Sequence, residues 1–291
     1  MMAVTMSWFA YSSQVTAETN LAESLFEAMT DRALLEAVRV VHEKQWTITS
    51  MATVIGALLP DAEPYPFVTL PNFQMISNDM RRIARMQTLG FLPIIRREQL
   101  QEFEDHAYAY FEERGFNMTA NQPPEEKGIF HFANGTKVLE RDIGGITWES
   151  SYTNLLTPAL EIEAGDHPLL LYNIHGGPER GSALDVLIDC AEDGLSTDGL
   201  MSRHQCNTVS PLIISRKEDS NGPSSVILSP VFPANDPQQL VGVVGSLLVW
   251  KEVLQNAFNN QTTGIDCVLR STEGLDFTFS VVDGVVAVRC V

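Results

Sequence analysis

ETNLAESLFEAMTDRALLEAVRVVHEKQWTITSMATVIGALL, residues 18 to 59, decides how the rest of this chain is read. No proline interrupts it, and its first glycine is Gly56. Leu21, Leu25, Met29, Leu35, Val38, Val41, Ile48, Met51, Ile55 and Leu58 recur mostly at steps of three and four, the spacing of one helical face. At about 1.5 Å per residue such a helix runs for about 60 Å, longer than a small domain is wide. The segment therefore reads as a stalk or spine, residues 18–62, along which other modules pack. The competing reading is two ordinary helices with a break between them.

The chain beyond it alternates short elements without a βαβ rhythm. Pro60, Pro64, Pro66 and Pro71 mark a turn cluster. Asn72 to Ala84 reads as a helix, Phe91 to Ile95 as a strand, and Glu98 to Gly115 as an acidic helix. Its main apolar contacts are expected from Phe103, Tyr108 and Phe111, and Gly115 is the expected stop. The carboxylates of Glu98, Glu102, Glu104 and Asp105 read as a solvated face. Short strands are expected at Ile129–Phe132 and Gly145–Trp148, and Leu169–Tyr172 is a further apolar run. Pro178 to Ala191 is a helix with Ala183, Val186, Leu187 and Cys190 inward. Ser210–Ser215 and Ser225–Phe232 form a hairpin, and the nearly all-apolar Leu240–Val249 is a central strand. A short helix, Lys251 to Phe258, precedes a meander whose Asp283-Gly284 pair signals a tight hairpin. The sum is an α+β pattern of antiparallel sheets.

Lys and Arg number 19 against 37 Asp and Glu, a net charge of −18. That balance excludes nucleic acid as a partner and disfavours an anionic membrane surface, since both need a basic face. The four cysteines, Cys190, Cys206, Cys267 and Cys290, form no CxxC pair, so no metal site is expected. Cys190 with Cys206 would close a short loop, and Cys267 with Cys290 would join two nearby strands; the alternative is four buried thiols. Asn117, Asn134 and Asn260 each head an N-x-[ST] sequon in a polar stretch, which together with the cysteines points to a secretory route. No run of 18 apolar residues is present. Residues 1–17 read as the end of an upstream membrane segment or a tail, and Val285–Val291 as a strand in mid-course, as expected of a piece of a longer protein.

Catalytic signatures are sparse. Ile174-His175-Gly176-Gly177-Pro178 resembles a lipase oxyanion loop, but no G-x-S-x-G accompanies it. No phosphate loop, GxGxxG or HExxH occurs, and the six histidines lack ligand spacing. No catalytic residue, metal or cofactor is assigned.

Two blocks carry a resemblance. The first is Phe67-Val-Thr-Leu-Pro-Asn-Phe73, then Ile83 to Ile95, then Arg97 to Glu104. The second is Val226-Ile-Leu-Ser-Pro-Val-Phe-Pro233 with Gln239 to Leu254. Between them lie Tyr172-Asn173, Pro178 to Gly194 and Ser210-Pro211-Leu212; Thr263 to Leu269 follows. Their order is similar to the CHASE sensor domain, closest to the extracellular regions of receptor-type guanylate or adenylate cyclases of diatoms and other protists. The resemblance spans about residues 21 to 288.

It implies a long helix carrying two PAS-like modules in tandem: a membrane-distal one at 63–215 and a C-terminally truncated membrane-proximal one at 216–291. It also implies an unidentified small-molecule ligand in the distal module, membrane helices flanking the chain, and a place on the extracellular or luminal side of a membrane. Candidate ligand residues, by position, are Phe91, Pro93, Tyr172, Asn173, Ser210 and Leu212. The acidic anchor of cytokinin-binding members has no counterpart in Leu169–Asn173, so cytokinin is not the expected ligand. The helix stripe is a candidate seam for a parallel homodimer. The rival readings are a secreted or luminal hydrolase using His175 and Asp185, and an interaction ectodomain without a ligand.

Overall fold

The computed structural model describes residues 2–115, 126–133, 135–143, 148–163, 169–193, 206–211, 222–258, 262–270 and 276–289. The first element is a single unbroken helix, α1 (Met2–Leu58), 57 residues long and so about 86 Å from end to end. Its far end is built into the core: Val40, Lys44, Ile48, Met51, Ala52 and Ile55 are all buried. Gly56 allows the closest approach, because a Cβ there would overlap the backbone carbonyl of Phe232. Ala234 N–H donates to the Gly56 carbonyl at 3.0 Å and Asn235 N–H to that of Pro60 at 2.7 Å. None of the described helices is long and apolar enough to cross a membrane.

The apolar residues of α1 do not form one continuous face. Ile48, Met51 and Ile55 meet the sheet, whereas Leu21, Leu25 and Leu35 are solvent-exposed. Steps of three and four drift around a helix of 3.6 residues per turn, so over forty residues such a series covers more than one face.

Five strands form the main sheet, β1 (Leu89–Pro93), β6 (Glu161–Glu163), β7 (Thr208–Val209), β8 (Ser224–Val231) and β9 (Gly242–Val249). They are ordered β6-β1-β9-β8-β7, and every neighbouring pair is antiparallel. The register runs from Ser224 opposite Val249 to Val231 opposite Gly242, and places Gly90 opposite Gly245. One face packs on α1; helix α2 (Phe73–Ile83) covers its β6–β1 edge. Helix α4 (Pro178–Asp193) covers the other face. Sandwiched strands must be apolar on both sides, which is why β8 and β9 carry almost no charge. Helix α3 (Leu100–Glu113) lies beside the short pair β2 (Ile95–Arg96) and β5 (Leu155–Leu156). Strands β3 (Phe130–Ala133) and β4 (Thr136–Leu139) make a small hairpin.

Helix α5 (Trp250–Ala257) follows β9 without a break, lies on α1, and carries a second sheet, β10 (Ile265–Arg270), β11 (Asp276–Val282) and β12 (Val285–Arg289). That meander has its own small core of Phe279, Val281 and Val286. Asp283 and Gly284 sit at φ 51° and 73°, the left-handed pair that a two-residue hairpin turn needs.

Several expectations are corrected. A module boundary at residues 215/216 would separate β7 from β8, which are hydrogen-bonded neighbours; the main sheet draws β8 and β9 from beyond it. The small separate core is that of the final meander, and α5 joins the two, with Val253 in the main core and Leu254 against the meander. Leu169–Tyr172 is a turn, with Leu171 at φ 63° and fully enclosed, because the strands on either side claim its backbone: Leu171 N–H donates to Ala159 and its carbonyl accepts from Phe130. On α4 the inner residues are Ala183, Leu184, Leu187 and Ile188, while Val186 and Cys190 face outward. Glu104 leaves the solvated acidic face of α3 and is buried, accepting the Ile129 N–H at 2.7 Å. Cys190 and Cys206 form a disulfide. Cys267 has none among the described residues, and β11 lies between its strand and β12; Cys290 lies outside them. The sequon asparagines 117, 134 and 260 also lie outside the described residues, as does the expected strand at 145–147.

Candidate ligand-binding site

A cavity of about 170 Å³ opens on the α4 side of the main sheet. Its floor follows from the two-residue repeat of a strand. On β1, Gly90 and Leu92 face it, and on β9 Gly245 and Leu247 do; Ile162 of β6 and Val226 of β8 complete the floor. Gly90 and Gly245 are cross-strand partners, so the centre of the sheet carries no side chain at that point. The roof comes from Ala159, Leu169, Tyr172 and Ile174, and the rim from Phe132 and Arg180.

The rim is an aromatic stack with a cation on it. Phe132 stacks on Tyr172 at 6.0 Å between ring centres, and Phe130 meets both edge-on at 5.6 and 5.7 Å. The Arg180 guanidinium lies 5.1 Å from the Tyr172 ring centre and donates from Nη1 to its hydroxyl. Burial pushes the Tyr172 phenol above its ordinary range, although Arg180 pulls the other way. The other polar side chains at the cavity are already engaged: Ser246 Oγ donates to the Thr88 carbonyl at 2.6 Å, and Thr88 Oγ1 accepts the Leu247 N–H at 3.0 Å.

Behind the roof lies a buried polar network. Glu140 Oε1 accepts from Asn173 Nδ2 at 2.7 Å and pairs with His131 Nδ1 at 2.9 Å, while Oε2 accepts from Arg97 Nη2 at 3.0 Å. Burial alone would raise the Glu140 carboxyl, but the bonds from His131, Asn173 and Arg97 outweigh it and hold it below the usual range. Asn173 Oδ1 in turn accepts the N–H groups of Thr157 and His175, at 2.9 and 3.2 Å. Every polar atom of the Asn173 side chain is thus committed to structure.

His175 is fully buried. Its Nδ1 faces the Leu155 carbonyl at 2.9 Å, and its Nε2 faces Asp185 Oδ1 at 2.8 Å and Ser150 Oγ at 3.4 Å. In a Ser-His-Asp triad, acid and serine occupy opposite ring nitrogens. Here they share one nitrogen and the other faces backbone, so the ring does not bridge Ser150 to Asp185 as a triad histidine does.

Of the six residues named from sequence, five are described, and among these Tyr172 alone lines the cavity. Phe91 and Pro93 alternate with Leu92 and point to the opposite face, where Phe91 packs edge-on against Tyr65 at 6.4 Å. Asn173 lies beneath the roof. Ser210 closes the end of β7, accepting the Val226 N–H on its Oγ at 2.8 Å. Leu212 lies outside the described residues. Sequence reasoning missed Gly90, Leu92, Gly245, Leu247 and Arg180; the glycines inside otherwise apolar strands were the available signal, since glycine there marks close approach. No protein-family model matches the chain, and no curated protein is significantly similar to it in sequence.

Proposed function

We propose that this chain is the extracytoplasmic ligand-sensing module of a membrane-spanning receptor, of the CHASE-like kind that regulates a nucleotide cyclase. The observation that carries this reading is the strand order of the main sheet. Counted among its own five strands, the sheet runs 2-1-5-4-3, the order of PAS-like sensor sheets, and it is docked on the far end of an 86 Å helix (about 1.5 Å per residue). The meander with α5 stands in the place of a second, smaller module lower on that helix.

The connection from cavity to helix is short. Strand β9 supplies Gly245 and Leu247 to the cavity floor and runs straight into α5, which lies against α1. Gln255 of α5 clips the second sheet, donating to the Gly284 carbonyl at 2.5 Å and accepting the Val286 N–H at 2.9 Å. A ligand that prefers one position of β9 would therefore bias α5, the meander and α1 together. It can do so only by its difference in affinity for the two arrangements, typically about 1–3 kcal/mol of coupling.

The face of α1 turned away from both sheets carries Leu21, Leu25, Leu35 and Trp46, each more than half exposed. At 100° per residue they fall within an arc of about 80°. This exposed apolar stripe supports pairing with a second copy of the chain.

Thermal-shift measurement against small organic acids, amides, amino acids and purines tests the reading. A reproducible rise in Tm with no turnover of the compound supports it. Cleavage of a chromogenic ester, lost in His175→Ala, would instead establish the hydrolase.

A further inference from the structure

The geometry points to the class of ligand: we infer that the cavity takes a small carboxylic acid whose buried apolar part is about the size of a benzene ring, its carboxylate held by Arg180 at the open rim. The inference rests on the ligand-sensing reading above. The size comes from the volume. A cavity of about 170 Å³ is close to the roughly 150 Å³ apolar cavity that accommodates benzene in another protein. The apolar body follows from the lining: Leu92, Ile162, Val226 and Leu247 surround the paired Gly90 and Gly245, over which Ile162, Leu92 and Leu228 close in.

The acid follows from what remains unmatched. Thr88 and Ser246 bond backbone groups, so among the described residues the Arg180 guanidinium, which spends Nη1 on the Tyr172 hydroxyl, is the charged group at the rim left to orient a ligand. Arg180 has no carboxylate partner among the described residues. Its guanidinium lies 5.1 Å from the centre of the Tyr172 ring, itself packed against Phe130 and Phe132, and its planar fork is suited to a carboxylate. Arg180 also sits in the first turn of the 16-residue helix α4, whose positive end adds to the attraction for an anion. Glu179 beside it is solvent-exposed. A neutral ligand of the same shape would gain the apolar contacts and lose the charge-assisted pair.

The test compares isosteres on the full chain by isothermal titration calorimetry: benzoate against benzamide, and 3-methylbutanoate against its amide. The expected result is saturable binding of the acids at least tenfold tighter than their amides. In Arg180→Met, which keeps the stem and removes the charge, acid and amide should bind alike. Leu247→Trp, which fills the cavity from a half-exposed wall position, should abolish both. Equal binding of acid and amide by the natural chain, or an acid preference that survives in Arg180→Met, overturns the ligand class and leaves the cavity reading standing. Failure of acids and amides alike overturns both.

Discussion

Replacing Glu140 by glutamine should be among the most damaging single-atom changes in this molecule. The carboxylate is fully buried and engaged by three side chains from three segments: Asn173 at 2.7 Å, His131 at 2.9 Å and Arg97 at 3.0 Å. Glutamine keeps the shape but turns one acceptor oxygen into a donor. Either it faces Arg97, donor against donor, or it faces Asn173 and His131. At least one buried donor then loses its partner, and the Arg97 charge loses its counter-ion. An unmatched buried donor costs about 1–3 kcal/mol, and breaking a buried ion pair from one side costs about 3–5 kcal/mol. Arg97 is one-fifth exposed, so water recovers part of the second figure. The expected loss for Glu140→Gln is about 2–4 kcal/mol, a large share of the roughly 5–15 kcal/mol that holds a folded domain. Urea unfolding followed by circular dichroism reads this as a lower midpoint with unchanged slope. The same variant carries a pH signature. The folded-state carboxyl lies below its unfolded value, so its contribution is present above the ordinary glutamate range and lost as pH falls through the folded pKa. The natural chain should therefore lose stability on acidification below about pH 4.5 more steeply than Glu140→Gln, that being the ordinary carboxyl value. A midpoint shift under 0.5 kcal/mol (about the effect of an ordinary surface substitution), or parallel acid profiles, would refute the network's role.

Glu104 predicts the opposite sign. Burial raises its carboxyl, so the ionised side chain opposes folding and stability declines as pH rises through the folded value. Glu104→Gln keeps an oxygen for the Ile129 N–H, and should be neutral or stabilising by about 1 kcal/mol at pH 8, read by Tm. Gly56→Ala drives a methyl into the Phe232 carbonyl and should cost about 1–3 kcal/mol or more, because the neighbour is backbone and cannot rotate away. Reducing the Cys190–Cys206 disulfide, which closes a 16-residue separation, should lower stability by about 3 kcal/mol; an unchanged urea midpoint in dithiothreitol would contradict this. Leu25→Glu and Leu35→Glu, both on exposed positions of α1, should leave Tm unchanged and shift sedimentation equilibrium toward monomer if α1 pairs with a second copy.

What the amino-acid order determined by itself is what depends on near neighbours. The helix over residues 18–58 follows from a stretch without proline, although its continuation back to Met2 reads in sequence as a membrane-segment end or a tail; the apolar β9 follows from its β-branched run, and the Asp283-Gly284 hairpin from two residues that tolerate φ 51° and 73°. The same local logic placed α2, α3, α4 and the final meander. What only the tertiary structure decided is everything set by partners distant along the chain. Which way a strand residue points depends on register, and one step separates Leu92 in the cavity from Phe91 on the far face. Gly90 and Gly245 are 155 residues apart, and only the ladder sets them opposite each other on the cavity floor, where Ile162, Leu92 and Leu228 approach closely. Glu104 reads as a solvated charge in sequence and Glu140 carries no signal there; only Ile129, His131, Asn173 and Arg97 make their burial tolerable. Charge, like direction, acquires meaning from what folding brings within hydrogen-bond reach, and sequence spacing does not encode that distance.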